Sequence, residues 1–385
     1  MNAISPAAAA VDVSDTREAS RVERAYCSRR LRIALLSPPW ITVPPPGYGG
    51  IELVIAEVAA ALVRRNHDVA LLAPPGSRST AHVVPLLAHD HPHEIGQTLF
   101  DVDHVGRALE VIDEAERSGR PFDVIHDHSG FALVAIADRV SVPVLHTVHG
   151  PFTAETAEFY RRHAAKVWTT ALSRAQLASG PSSMRCVSVI PNPIDLHSWP
   201  LQPRKDHYLL WLGRMAPDKG PHRAIAAARQ AGWPLVLAGP VQPGQRAFFE
   251  SQIRPEIDGR SVRYVAEVAG PAKRALFANA AALLMPIRWP EPFGMVMIEA
   301  LACGTPVIAF PEGSAPEIVI DGESGFLVED ESEMATAVDR LSELDPLRCR
   351  ATVQARYDVE LVTDAYESAY RQVIAAASRE ASQRA

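Results

Sequence analysis

The sequence predicts an α/β protein made of two consecutive doubly wound parallel sheets. Three observations carry that expectation. Short, continuously apolar runs alternate with longer amphipathic segments, as strands do when helices bury both of their faces. The alternation breaks once, at HSWPLQPRKDHY (197–208), where prolines and charges gather as in a linker, and then it restarts. The 385 residues exceed one ordinary core and suit two.

Residues 1–29 are polar and alanine-rich, with no strand pattern, and read as a disordered tail. Residues 30–196 then form the first domain. Its strands are LRIALLS (31–37), DVALLAP (68–74), FDVIHDH (122–128), PVLHTVH (143–149), VWTTALS (167–173) and CVSVIPN (186–192), and its clearest helix is IELVIAEVAAALVRR (51–65). After the linker, 197–207, a second domain covers 208–358. Its strands are YLLWLG (208–213), PLVLAG (234–239), VRYVAEV (262–268), ALLMPI (282–287), PVIAF (306–310) and GFLV (325–328). A last helical pattern, 359–377, puts Leu361, Ala365, Tyr366, Ala369, Tyr370 and Val373 on one face, which needs a surface to dock on. The first domain is the expected one.

Composition excludes several classes. A net charge of -7 gives no overall attraction to nucleic acid or to an anionic membrane, and the small cluster Arg161, Arg162 and Lys166 reads as a solvated helix face. Cys27, Cys186, Cys303 and Cys349 are sparse, offering neither a disulfide framework nor zinc spacing. The opening alanine run is too short for a signal peptide, and no stretch approaches the roughly 20 apolar residues that span a bilayer. A cytoplasmic protein is expected; peripheral contact with a membrane stays open.

The chemistry concentrates in LLMPIRWPEPFGMVMIEALACGTPVIAFPEGSAPEIVIDGESGFLV (283–328). Glu299 lies inside an apolar run, Met295–Ala302, and a buried carboxylate costs several kcal/mol (order of magnitude) unless it is paired. No Lys or Arg lies within helical reach on its own segment, so its partner comes from another element or from a polar ligand. Glu291 precedes that helix, where Phe293, Gly294 and Met295 offer free backbone N–H groups. This combination suits a phosphorylated, hydroxyl-rich ligand. Ligands of open parallel sheets bind at the carboxyl ends of strands. That rule selects Gly213-Arg214 after YLLWL, with Lys219-Gly220 downstream, as a fork and a point charge for a phosphate. The loop PPPGYGGIELV (44–54) follows the first strand, and Gly47, Gly49 and Gly50 allow close backbone approach, although the spacing is not that of a dinucleotide site. His149 ends a strand and faces the cleft, either bonding substrate or serving the structure. His126 and His128 end the strand before it; a metal site there has the weaker claim, because no third ligand has clear spacing. Pro191–Asp195 reads as a hinge, and Glu317 as a loop-bracing or helix N-terminal carboxylate.

EPFGMVMIEALACGTPVIAF with GSAPEIV and GESGFLV resembles the signature of retaining glycosyltransferase family 4, which has the GT-B fold. LGRMAPDKG, VIPNPID, the early glycine loop and the TVHG strand end follow that family in order, over about residues 31–376. The opening PPWITVPPPGYGGIE with DVIHDHS is similar to a bacterial subgroup that includes antibiotic-sugar transferases. The resemblance implies two Rossmann-like domains facing a cleft: an acceptor-side N-terminal domain, a nucleotide-sugar-binding C-terminal domain and a last helix returning to the first. By resemblance Arg214 and Lys219 neutralise the donor diphosphate, and Glu299 holds the ribose hydroxyls. Glu291 and the backbone from Phe293 through Gly294 and Met295 to Val296 hold the sugar and phosphate. His149 lies near the reacting carbon, and Gly49-Gly50 approach the phosphates. The donor pocket also takes in Gly213 and Val268, which ends VRYVAEV at the nucleobase site. The family often has Gly where this chain has Ala266.

The expected activity is a retaining, metal-independent hexosyl transfer from a nucleotide-diphosphate-sugar to a hydroxyl acceptor, with no cofactor and no nucleic acid. A sugar-nucleotide epimerase, a phosphorylase and a non-catalytic sugar-nucleotide sensor are the competing readings.

Overall fold

Two parallel sheets form, one per lobe. In the first, β1 (Arg32–Leu36), β2 (Asp68–Ala73), β3 (His82–Pro85), β4 (Val124–Asp127), β5 (Val144–Thr147), β6 (Trp168–Ala171) and β7 (Cys186–Val189) lie in the order β3-β2-β1-β4-β5-β6-β7. In the second, β8 (Leu209–Leu212), β9 (Leu235–Ala238), β10 (Val262–Tyr264), β11 (Ala282–Met285), β12 (Val307–Ala309) and β13 (Gly325–Leu327) lie in the order β10-β9-β8-β11-β12-β13. This computed structural model describes residues 29–384, so the expected tail lies outside it except for Arg29, which pairs with Asp123 at 2.9 Å. Each sheet reverses its winding once, between β1 and β4 and between β8 and β11. Such a reversal splays the flanking loops apart and opens a crevice at the strand ends.

Every strand read from the sequence is present, and β3 is an addition. It is an edge strand of four residues, half exposed and ended by Pro85, so it lacks the apolar run that marks a buried strand. β10 stops at Tyr264 rather than reaching 268, because Ala266 turns into the left-handed region at φ 55°.

The helix Gly50–Arg64 buries Val54, Ile55, Val58 and Leu62 against the first sheet. The terminal helix, Val359–Arg384, returns to the N-terminal lobe, packing on Gly50–Arg64 and on β4, β5 and β7. It runs past the expected 377, and its buried face is shifted: Leu361 is exposed, and Val362 joins Tyr366, Ala369, Tyr370 and Val373 inside. Along its rim Arg65 meets Glu360 (3.0 Å), Asp364 (2.5 Å) and Glu367 (3.2 Å).

The two passages between lobes run side by side, Ile194 donating to the Tyr357 carbonyl (2.9 Å) and Val359 to that of Ile194 (3.2 Å). Residues 197–207 cross between lobes but are pinned. Trp199 is buried, and the Arg350 guanidinium donates to the carbonyls of Leu196 (2.8 Å), Trp199 (2.8 Å) and Ala302 (2.5 Å).

Candidate active site

A cleft of about 780 Å³ lies between the carboxyl ends of the two sheets. The loops after β1, β4 and β5 form one wall, and those after β8, β9 and β11 form the other. Every site residue named from the sequence lines it: Gly49, Gly50 and His149 from the N-terminal lobe, and Gly213, Arg214, Lys219, Val268, Glu291, Phe293, Gly294, Met295, Val296 and Glu299 from the C-terminal lobe.

The C-terminal wall supplies the cations. Lys219 forms an ion pair with Glu291 and lies 4.5 Å from the centre of the Trp289 ring, whose Nε1 donates to the same carboxylate at 2.8 Å. Glu291 is fixed from behind by Gly313, where φ is +57° and a Cβ would sit 2.4 Å from the Glu291 backbone. Arg214 Nη1 donates to Gln242 (3.2 Å) and also faces the Tyr48 hydroxyl. Among the described residues, no acceptor meets the backbone N–H groups of Phe293, Gly294, Met295 and Val296, which open the helix Met295–Ala302. These donors and the helix dipole favour an anion there.

Glu299 is 1% exposed, and its partner is Lys273, from the helix Gly270–Asn279, at 2.6 Å. That pairing answers the question left by the sequence, which did not single out Lys273. Only Oε1 of Glu299 is engaged; Oε2 is buried without a partner. Three other buried, unpartnered polar atoms belong to residues lining the same cleft: Glu57 Oε2, Asn192 Oδ1 and His128 Nε2. Buried polar groups are rarely left unsatisfied, so four around one cavity mark where a polar ligand belongs. Glu57 and Asn192 were not singled out from the sequence. Glu57 looks like an ordinary polar position of an amphipathic helix, and only tertiary packing turns it toward the cleft.

The N-terminal wall carries acids and histidines. Burial pushes the Glu52 carboxyl up to about 7 and the Glu57 carboxyl up to about 8, the latter against a hydrogen bond from the Asp195 backbone. Gly49 lets this loop fold tightly, since a Cβ there would meet Pro45 at 2.6 Å and Glu52 Oε2 at 2.9 Å. His149 Nε2 and His128 Nδ1 share a hydrogen bond of 2.7 Å, and burial lowers both rings, His149 to about 3. His126 instead serves the fold, bridging Tyr370 OH (2.7 Å) and Thr147 (2.8 Å). Asp127 accepts from Ser129 N and Oγ and from His146 Nδ1 (2.7 Å), leaving His146 Nε2 to accept from the Tyr160 hydroxyl (2.7 Å). Among the described residues, no cluster of His, Cys, Asp and Glu is arranged to hold a metal ion, and no helix is long and apolar enough to cross a membrane.

Two further carboxylates tie the lobes together. Glu317 accepts from the backbone N–H of Arg174 (2.9 Å) and Ala175 (2.7 Å), and Glu267 from that of Tyr48 (2.7 Å). The brace expected of Glu317 is thus made across the cleft, to the start of the helix Arg174–Ser179.

Comparison with known proteins agrees with this geometry. The model for glycosyltransferase family 4 matches residues 48–198, and that for glycosyl transferases group 1 matches residues 196–357. A glycogen synthase of Mycobacterium tuberculosis is 27% identical over 77% of this chain and 81% of its own length. A D-inositol 3-phosphate glycosyltransferase of Mycolicibacterium smegmatis is 25% identical over 88% and 90%. Among solved structures, a glycosyltransferase involved in avilamycin A biosynthesis superposes with a TM-score of 0.68 at 27% identity, covering 90% of this chain and 98% of that one. The Anabaena protein HepE, solved with UDP-glucose, shares the fold: TM-score 0.63 at 21% identity, over 87% and 98%.

Proposed function

The chain belongs to the family 4 glycosyltransferases of GT-B fold, and we propose that it moves a hexose-type sugar from a nucleotide-diphosphate-sugar to a hydroxyl acceptor, with retention and without a metal. One observation supports this most directly. Arg214, Lys219 and Lys273 line a single cleft with the free N–H groups of Phe293–Val296 and the unpartnered oxygen of Glu299.

Breaking the sugar–phosphate bond leaves negative charge on the diphosphate and positive charge on the anomeric carbon. Arg214, Lys219 and the helix start at Met295 are fixed before the reaction, so they stabilise the leaving group without reorganising. Lys219 is paired with Glu291. An arriving diphosphate competes for that lysine, and the released carboxylate is then free for sugar hydroxyls. Glu299 Oε2 takes a ribose hydroxyl while Lys273 keeps Oε1. His149, neutral at any ordinary pH, offers a hydrogen bond near the reacting carbon rather than a charge. A front-face attack, with a donor phosphate oxygen taking the acceptor proton, uses no carboxylate nucleophile. The structural neighbour bound to UDP-glucose lends weight to a nucleotide donor.

The decisive experiment screens UDP-, GDP-, ADP- and dTDP-sugars for thermal stabilisation and donor hydrolysis. At least one of them is expected to do both. Stabilisation by none of the four overturns the proposal, and a sugar trapped covalently on Glu291 overturns its mechanism.

A further inference from the structure

The cleft divides by charge. Among the described residues, every Lys and Arg that lines it, namely Arg214, Lys219, Lys273 and Arg274, comes from the C-terminal lobe. The N-terminal wall, where the acceptor lies if the donor occupies the cationic side, has none. Burial also holds the rings of His128 and His149 deprotonated.

Beside Glu52, Glu57 and the histidines, that wall carries apolar and aromatic side chains. Trp40, Ile41, Ile95 and Phe131 line it. Phe131 is 44% exposed, its ring held edge-on by Phe159 (5.0 Å) and tilted against Tyr160 (5.9 Å), so a fixed aromatic surface faces the open space. Ile95 is 56% exposed on the neighbouring loop. That loop is tied in place, since His91 donates to the Trp40 carbonyl (3.1 Å) and stacks on Phe100 at 3.7 Å. Leu99 and Val102, on the helix Thr98–Arg117 that follows this loop, are exposed as well. Large apolar side chains gathered at the mouth of a cleft mark a surface that a ligand covers.

We propose that the acceptor is an uncharged hydroxyl compound carrying a ring-bearing apolar group, which stacks on Phe131 and Ile95, and that phosphorylated acceptors are excluded. This rests on the transferase reading above. A phosphate on the acceptor calls for a guanidinium or ammonium partner, and this wall presents aromatic carbon where one would be. The acceptor class therefore differs from the one named in the relatives that act on D-inositol 3-phosphate.

Binding in the presence of UDP tests the proposal, by saturation-transfer NMR and calorimetry. The probes are phenyl β-glucoside, D-myo-inositol 3-phosphate and maltotriose. Phenyl β-glucoside is expected to bind at least about tenfold more tightly than either of the others, and to lose about tenfold in Phe131→Ala, as for a lost aromatic contact. Ile95→Asp, at an exposed position, provides a second variant with the same expected direction. Unchanged thermal midpoints and UDP affinities show that both variants are folded. Tighter binding of the inositol phosphate, equal binding of maltotriose, or no loss in either variant overturns the proposal. Sedimentation with phosphatidylcholine vesicles that Phe131→Ala abolishes, without binding of the glucoside, overturns it in favour of a lipid surface. UDP affinity reads the underlying function separately: its absence removes the transferase reading, whereas UDP binding with a preference for inositol phosphate removes only the acceptor class.

Discussion

Ala266 holds a backbone angle that suits glycine, φ 55°, while its carbonyl accepts from Gly239 N at 2.7 Å. An L-residue in the left-handed region costs roughly 1–2 kcal/mol, and glycine gives back part of that through its looser unfolded chain. Ala266→Gly is therefore expected to raise stability by a few tenths to about 1 kcal/mol in urea unfolding; a clear loss would contradict the strain. Glu57 makes a second prediction. Its carboxyl titrates near 8 in the folded protein against an ordinary 4.5. Between those values the unfolded chain releases its proton first, so stability falls as pH rises from about 4.5 to 8. From the facing elements, the hydrogen bond from the Asp195 backbone and the charge of Lys273 oppose that trend, while the carboxylates of Asp195 and Glu299 reinforce it. Glu57→Gln removes this contribution, so the variant should gain on the wild type steadily across that window, as urea midpoints against pH can show. A constant difference would mean that Glu57 is ionised at neutral pH. At this scale the sequence disclosed those groups whose surroundings were local. Glu299 stood out as a charge in an apolar run, and Arg214 as a charge at a strand end. Lys273, Glu57 and Asn192 gave no such signal, because only the packing of separate elements brings them to the cleft.

At the level of elements, the terminal helix illustrates both what pattern shows and where it stops. Apolar spacing announced a docking face, but the face is rotated: Val362 is inside and Leu361 outside. A 3.6-residue period tolerates that shift when neighbouring positions are both apolar. Nothing in the spacing could foretell that Tyr370, fully buried, satisfies His126 Nδ1 at 2.7 Å. Losing that hydroxyl strands a buried ring nitrogen, which costs about 1–3 kcal/mol. Tyr370→Phe should therefore destabilise the protein by that amount in urea unfolding, although it removes no apolar area; an unchanged midpoint would mean the nitrogen finds another partner. The strands among the described residues were legible almost completely, since a strand buried on both faces is a continuous apolar run. β3 was the exception, and it is an edge.

For the whole molecule, two carboxylates brace the lobes against each other. Glu317 caps two N–H groups of the opposite lobe, and Glu267 receives one. Hydrogen bonds to charged groups are worth about 1.5–3 kcal/mol each, enough to shift an open–closed balance by tenfold or more. Glu317→Ala is expected to enlarge the radius of gyration of the ligand-free protein in X-ray scattering and to raise the donor KM. An unchanged scattering curve would place the restraint in the paired crossings at Ile194 and Tyr357 instead. The two-lobe architecture was readable from the break at 197–208, but the braces were not, because each joins residues more than 140 positions apart.

The return of the last helix to the first lobe also bears on biogenesis. As the chain leaves the ribosome, the residues forming β1 to β7 emerge early, yet Tyr366 and Tyr370, which complete their core, arrive only after the entire second lobe has been made. The first lobe therefore cannot complete its core in the usual order, in which domains mature from the amino end during synthesis. The second lobe can settle first, and the nascent first lobe must wait with an apolar surface uncovered. Cutting the gene between the lobes would yield one self-sufficient half and one permanently unfinished half.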